Sequence, residues 1–228
     1  MSSAFLTVAR RVTAVGGITQ LAVIGRFLLD ALAPHRCVDC KKIGAVVCAE
    51  CWATVERKLQ ITPGPNPLQS TVTCAEYEQP VIQKLIHDLK YNSIRDAAKP
   101  LAELLTESVR PLLQPGDVIV AIPLHTRRER KRGFNQSELL AQKLSKATSV
   151  PLMQILHRVR NTKPQVECDA DERRTNLKDA FVADQVDAKR IILIDDVTTT
   201  GTTFVEAAKA LRKVTAVPIF GVTVARGG

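Results

Sequence analysis

From Ser70 onward, short apolar runs alternate with amphipathic segments. STVTCAEY, beginning at Ser70, is rich in β-branched residues and predicts a strand. QPVIQKLIHDLKY follows, with Val81, Ile82, Leu85, Ile86 and Leu89 at helical spacing and Pro80 suited to a first helical turn. AAKPLAELLTESVRPLL predicts another helix. DVIVAIP, residues 117–123, is a continuous apolar run closed by proline and predicts a buried strand. NQSELLAQKLSKA then predicts a helix, RIILI a second buried strand, GTTFVEAAKALRKV a helix and AVPIFGVTVA a final strand. Continuous apolar strands separated by helices predict an α/β fold, a parallel sheet with both faces covered. Ligands of such sheets bind outside the carboxyl ends of the strands.

The rest of the chain is organised differently. Residues 1–35 read as a leader, partly helical, and residues 36–60 hold a cysteine cluster and the lone tryptophan, Trp52. Residues 61–69 include ITPGPNP, whose prolines and glycine predict a linker, and 70–228 form the α/β domain. The leader has a basic start, an apolar stretch and an Ala-Leu-Ala, which imitates a secretory signal. Gln20, Arg26 and Asp30 interrupt that stretch, so an amphipathic helix around residues 22–32 is favoured over a signal. No run of 18 apolar residues predicts a membrane span. The polar stretch between Arg158 and Phe181 lacks periodicity and predicts a long loop, a length that is usually functional or disordered.

Cysteine spacing adds a metal. Cys37-x2-Cys40-x7-Cys48-x2-Cys51 places two sulfurs on each of two turns, which suits a closed tetrahedral site. Four protein ligands leave no open position, so a Zn²⁺ there is structural and stabilises a segment too short to fold alone. Redox dithiols and an iron–sulfur cluster are the alternatives. Reduced thiols suit a cytoplasmic location, and Cys74 and Cys168 read as plain thiols.

Charge adds a ligand class. The formal net charge of +9 favours anionic partners, phosphates, nucleotides or nucleic acid, without choosing among them. The line RIILIDDVTTTGTTF, residues 190–204, ends a greasy strand in Asp195 and Asp196 and continues into five threonines around Gly201. Small hydroxyls, close backbone N–H groups and a helix N-terminus make an anion cradle. Two carboxylates beside such a cradle repel an anion unless it also carries hydroxyls or a divalent cation. A ribose with a 5-phosphate, free 2- and 3-hydroxyls and a Mg²⁺-bound diphosphate meets these demands. A Walker B strand is the rival reading, but no GxxxxGK[ST] loop is present.

ILIDDVTTTGTT resembles the 5-phosphoribosyl-1-diphosphate (PRPP) motif of type I phosphoribosyltransferases. Together with CVDCKKIGAVVCAEC, IPLHTRRERKRGFNQSELLA and RNTKPQVECDADERRTNLKDAF, it resembles the ComF/GntX family, competence protein F-like chains that pair a short N-terminal zinc module with such a domain. The resemblance implies a type I phosphoribosyltransferase-like parallel sheet flanked by helices, with a zinc-ribbon-like module ahead of it. It implies that Asp195 and Asp196 act at the ribose hydroxyls, and that Thr199, Thr200, Gly201, Thr202 and Thr203 wrap the 5-phosphate, while Thr198 sits at a variable position. It puts the basic run 127–132 in the place of the diphosphate-binding loop, with Arg128 and Arg132 on the diphosphate, and His125, Asn135 and Gln136 matching the pattern. Arg127 and Lys131 read as solvated.

Arg160, Thr162, Gln165, Arg173, Asn176, Ala180 and Phe181 match the mobile hood that closes over substrates in related transferases. Cys168 departs from a leucine-like position there. The implied activity is phosphoribosyl transfer from Mg²⁺-PRPP to an unidentified acceptor, possible in a DNA-uptake or competence setting. A second class stays open: a non-catalytic accessory protein binding single-stranded DNA. Sparse aromatics, 4% of residues, weigh against base stacking, with Phe134 and Trp52 the evident platforms. The oligomeric state is open, a dimer included.

Overall fold

The computed structural model describes residues 34–160 and 177–227. Two compact units divide the chain, residues 1–48 and 49–228. In the first, Arg36 and Ile43 form an antiparallel bridge. The Cys37 N–H donates to the Lys42 carbonyl at 2.9 Å and Val38 N–H to Val46 at 2.8 Å. Lys41, with φ 65°, helps turn the chain between them.

The second unit runs α1 (Ala49–Ala53), β1 (Gln60–Pro63), β2 (Ser70–Glu76), α2 (Pro80–Tyr91), α3 (Ala98–Val109), β3 (Asp117–Ala121), α4 (Thr126–Arg132), α5 (Gln136–Thr148), β4 (Leu156–Arg158), β5 (Phe181–Ala183), β6 (Arg190–Thr198), α6 (Thr202–Arg212) and β7 (Ile219–Arg226). Five strands form one sheet in the order β1-β2-β7-β6-β3. All neighbours are parallel except β1 and β2. Ile191, Ile192, Leu193 and Ile194 of β6 are all buried, as expected of a strand covered on both faces.

On one face lies α6, whose Phe204, Ala207, Ala208 and Leu211 pack with Val118, Val120, Ile191 and Leu193. Gly221 makes this approach feasible, because a Cβ there would sit 3.1 Å from the Phe204 ring. Helices α3 and α5 contact the sheet strands, and α2 packs on α3. Their fully buried residues include Leu85, Ile86, Leu101, Leu105, Leu140 and Leu144. Each such side chain contributes about 1.5–3 kcal/mol relative to exposure. Among the described residues, no helix is long and apolar enough to cross a membrane.

Three elements differ from the sequence expectation. Gln60–Pro63 pairs antiparallel with β2 where a linker was expected. Its one proline does not prevent this, because Pro63 ends an edge strand, where a missing N–H costs little. The basic run folds as α4 rather than a loop, between His125 as N-cap and Gly133, at φ 83°, as C-cap. Strand β6 continues through both aspartates to Thr198, because β7 keeps pairing with it as far as Thr198↔Arg226. The hood stretch begins and ends in an antiparallel pair, β4 with β5, in register Arg158↔Phe181. Residues 161–176, with Thr162, Gln165, Cys168, Arg173 and Asn176, lie outside the described residues, as does the helix expected over 22–32.

At the amino ends of the strands, Arg190 grips Asp117 through Nε–Oδ1 and Nη2–Oδ2 hydrogen bonds, both 2.6 Å. The Asp117 side chain is fully buried. It also accepts from Gln114 N–H at 2.8 Å. Removing one partner strands the other charge. Asp117→Ala is expected to cost about 3–5 kcal/mol in urea unfolding. The exposed Lys213–Asp179 pair is the control, and Lys213→Ala should change stability by less than about 0.5 kcal/mol. Equal effects of the two would contradict the assignment.

Candidate functional site

The carboxyl ends of β3 and β6 and the N-terminus of α5 are fastened together. Ile122 N–H donates to the Ile194 carbonyl at 2.9 Å. Asn135 Nδ2 donates to the Ile122 carbonyl at 3.0 Å, and Asn135 Oδ1 caps α5 by accepting from Ser137 N–H at 3.1 Å. This puts Ser137 opposite the end of β6, where its hydroxyl donates to Asp195 Oδ1 at 2.8 Å. Asp195 Oδ1 also accepts the Asp196 N–H at 3.0 Å. Burial pushes the Asp195 carboxyl up, to about 7, and the Asp196 charge adds to this. The Ser137 hydroxyl, Lys90 and the Asp196 N–H pull the other way.

Asp196 is reached from a different helix. Lys90, in the last turn of α2, brings Nζ to 3.0 Å from Asp196 Oδ2. The contact is an ion pair off ideal hydrogen-bond alignment, and Oδ2 is otherwise buried without a bond. Asp196 Oδ1 accepts Val197 N–H at 2.8 Å. The Asp196 side chain is 3% exposed and that of Lys90 22%. Burial alone would lower the Lys90 ammonium, but Asp196 and Asp195 together outweigh it and hold the group above its ordinary value.

Beyond the aspartates, Gly201 at φ 75° is the N-cap of α6, a conformation few side chains tolerate. A Cβ there would meet only Pro65, at 3.9 Å, so the space over the turn is open. Thr200 Oγ1 and Thr202 Oγ1 lie 2.8 Å apart. Thr199 and Thr200 are exposed and Thr202 and Thr203 half-buried, whereas Thr198 is buried. Hydroxyls and the first N–H groups of an eleven-residue helix therefore share one open turn.

The basic helix contributes unevenly. Arg132 bonds Gln136 Oε1 and lies 6.0 Å from the centre of the Tyr91 ring. Burial lowers its pKa, and the Asp196 charge opposes that shift, which puts Arg132 on the carboxylate side. His125 Nδ1 accepts Arg127 N–H at 3.2 Å, so its place in the pattern is that of a helix cap. Arg127, Arg130 and Lys131 are exposed. Arg158 is brought down to about 10 by burial and by repulsion from Arg128, with Asp195 opposing. It stacks 5.6 Å from the Phe181 ring at the root of the hood. Arg160 Nη1 bonds the Lys178 carbonyl on the same hairpin. Phe134 is buried and covered by Arg95 at 5.0 Å, so it offers no stacking platform.

Lys90, Ser137 and Arg158 were not singled out from the sequence, yet each carried a signal. Lys90 continues the apolar stripe Ile82–Ile86, and Ser137 shares the buried stripe of Leu140, Ala141 and Leu144. Arg158 shares the inward face of β4 with Leu156. A polar residue at an apolar position of the period is the mark common to all three. A groove of about 300 Å³ between α3 and α5, lined by Lys99, Thr106 and Lys143, lies elsewhere, and neither aspartate lines it.

The cysteines also converge. The sulfurs of Cys37, Cys40, Cys48 and Cys51 all lie within 4.8 Å of one another. Cys40 Sγ is 3.6 Å from Cys48 Sγ. Metal–sulfur bonds of about 2.3 Å in a tetrahedron imply sulfur–sulfur edges of about 3.8 Å. None of the four is joined in a disulfide among the described residues. Burial would raise the Cys37 thiol, but backbone N–H groups of Cys48, Asp39 and Cys40 outweigh it and hold the group at about 6. Cys74 is a contrast, pushed up to about 12 by burial against a Ser108 hydrogen bond.

No family model matches the chain. The DNA utilization protein YhgH of Escherichia coli O157:H7 is 39% identical over 154 residues, covering 64% of this chain and 67% of that protein. Competence protein F of Haemophilus influenzae is 36% identical over 152 residues, 62% of this chain and 66% of that protein. Competence protein ComFC of Bacillus subtilis is 37% identical over 94 residues, 41% of this chain and 38% of that protein. Among solved structures, a purine phosphoribosyltransferase from Pyrococcus horikoshii Ot3 aligns with TM-score 0.33 at 18% identity, over 57% of this chain and 81% of that one. With a relative at 39% identity aligned over two thirds of its length, and with the DDVTTTGTT turn and the four cysteines in place, the chain belongs to the ComF/GntX family of competence protein F-like proteins.

Proposed function

We propose that this protein binds PRPP with Mg²⁺ at the carboxyl end of β6 and transfers its phosphoribosyl group to an acceptor nucleophile, in a cytoplasmic setting linked to DNA uptake. The observation that carries the reading is the junction itself. A buried strand delivers two carboxylates beside an open, hydroxyl-rich turn capped by left-handed Gly201 at a helix N-terminus. Thr199, Thr200, Thr202 and Thr203 and the first N–H groups of α6 would hold the 5-phosphate. Helix-end charge effects of this kind contribute about 0.3–1 kcal/mol when exposed and more when dry. The carboxylate end of β6 would face the ribose hydroxyls.

Arg128 and Arg132 on α4 would face the diphosphate. Bound Mg²⁺ would neutralise charge on that leaving group. In the transfer, the C1–O bond to diphosphate breaks and diphosphate departs with the electron pair. The acceptor's lone pair forms the new bond at C1 and the acceptor gives up a proton. The transition state is oxocarbenium-like, so the protein acts by positioning and electrostatics. Hood residues Arg160, Gln165, Arg173 and Asn176 would close over the pair and exclude water.

The relatives' names, DNA utilization protein and competence protein, favour a second role in binding single-stranded DNA. Exposed Arg127, Arg130 and Lys131 are available for phosphate contacts, while buried Phe134 argues against stacking. Calorimetric titration with PRPP, with and without Mg²⁺, tests the first reading. Mg²⁺-dependent binding is expected, weakened more than about tenfold in Asp195→Asn/Asp196→Asn. Absence of Mg²⁺-dependent binding in the wild type rejects it. Single-strand binding that survives the double variant and falls steeply with salt is the signature of the second role.

For the cysteine cluster, the proposal is a structural Zn²⁺ on Cys37, Cys40, Cys48 and Cys51, with the sulfur spacing as its support. Metal analysis of protein purified without chelator should find about one zinc per chain, lost together with folding of that module on chelation. Well under one zinc per chain would contradict it.

A further inference from the structure

Lys90 carries no role in the function proposed above, yet it is the most constrained lysine at the site. It stands on a buried stripe of α2, where an apolar residue would fit the pattern. Its ammonium faces Asp196 Oδ2 at 3.0 Å, while Val197 N–H holds Asp196 Oδ1 at 2.8 Å. Both oxygens of Asp196 are thus engaged from within the protein, and its side chain is 3% exposed. Asp195 is placed differently. Its Oδ1 takes the Ser137 hydroxyl and the Asp196 N–H. Its Oδ2 makes no hydrogen bond among the described residues.

We propose that the two aspartates divide the work: Asp195 presents its outer oxygen to a ligand hydroxyl, and the Lys90–Asp196 pair is a positioning unit that does not touch the ligand. This deepens the PRPP reading and rests on it. The physical reason for the pair is charge. Two adjacent carboxylates at the end of a dry strand repel one another, and an ammonium bound into the protein neutralises one of them. With Asp196 neutralised and clamped, the backbone at Asp196 N–H holds Asp195 Oδ1, and the outer oxygen stays aimed at the open edge. Removing Lys90 alone leaves an uncompensated buried carboxylate that drives the local geometry apart. Removing the Asp196 charge alone leaves an uncompensated ammonium beside Asp195, which then competes for the oxygen meant for the ligand.

The test uses the full chain, purified without chelator, and two probes, ribose 5-phosphate and 2-deoxyribose 5-phosphate, measured by calorimetry. Their affinity ratio reports reading of the hydroxyl, independent of phosphate binding. Wild type should prefer the ribose form, and Asp195→Asn should reduce that preference by about tenfold, the worth of a charge-assisted hydrogen bond. Lys90→Met and Asp196→Asn should each reduce it as well. The combined variant Lys90→Met/Asp196→Asn, with no charge left to balance, should restore it to within about threefold of wild type, and Lys90→Arg should retain it.

Thermal melts on the same variants follow folding. Coupling between positions 90 and 196 in those melts is expected. A double variant no better than Asp196→Asn overturns the proposal, because Asp196 then touches the ligand. A ratio unchanged in every Lys90 and Asp196 variant also overturns it, since the pair is then only structural. Failure of the wild type to bind ribose 5-phosphate at all removes the PRPP reading as well, an outcome distinct from either of these.

Discussion

The arrangement of this molecule turns on charge compensation at the end of one buried strand. Asp195 and Asp196 lie side by side where β6 leaves the core, and neither position is one that an isolated carboxylate accepts cheaply. Lys90 answers Asp196 at 3.0 Å and the Ser137 hydroxyl answers Asp195 at 2.8 Å. Those two partners arrive on different helices, α2 and α5, which only the parallel sheet brings to the same edge. Strand order β2-β7-β6-β3 sets that edge, and the Asn135–Ile122–Ile194 hydrogen bonds hold α5 against it. The tight turn at left-handed Gly201 then starts α6 just beyond the carboxylates, which puts the helix N-terminus beside them.

Most of the framework was legible in the sequence. Strands β2, β3, β6 and β7 and helices α2, α3, α5 and α6 follow from the apolar runs and the 3.6-residue period, which reflect burial directly. Strand β1 was hidden because proline is a strong breaker signal whose force vanishes on a sheet edge, and only tertiary context tells an edge from a centre. The helical form of the run 126–132 was hidden because it has no apolar stripe. Its caps, the His125 ring nitrogen and Gly133, define it instead. The extension of β6 past the aspartates depends on pairing with β7, a contact between distant parts of the chain.

The site itself was half legible. A run such as DDVTTTGTT announces itself by composition. Its partners do not, because Lys90 and Ser137 are single polar residues inside otherwise apolar patterns. Read without a fold, such a residue looks like a defect in the period. Read with the fold, it is the group that makes a buried charge tolerable. The cysteine cluster lies at the other extreme. Its spacing alone names four candidate ligands, and the sulfurs converge to within 4.8 Å of one another, close enough to hold one metal ion. Phe134 shows the converse risk, since an aromatic just after a basic run resembles a base-stacking platform and is instead buried under Arg95.

A crystal structure with PRPP and Mg²⁺ bound tests the account most directly. The expected complex has the 5-phosphate in the turn 199–203, a ribose hydroxyl on Asp195 Oδ2, and the Lys90–Asp196 pair intact beneath it. A phosphoribosyl group bound away from that turn, or a ribose held through Asp196 with Lys90 displaced, would contradict it.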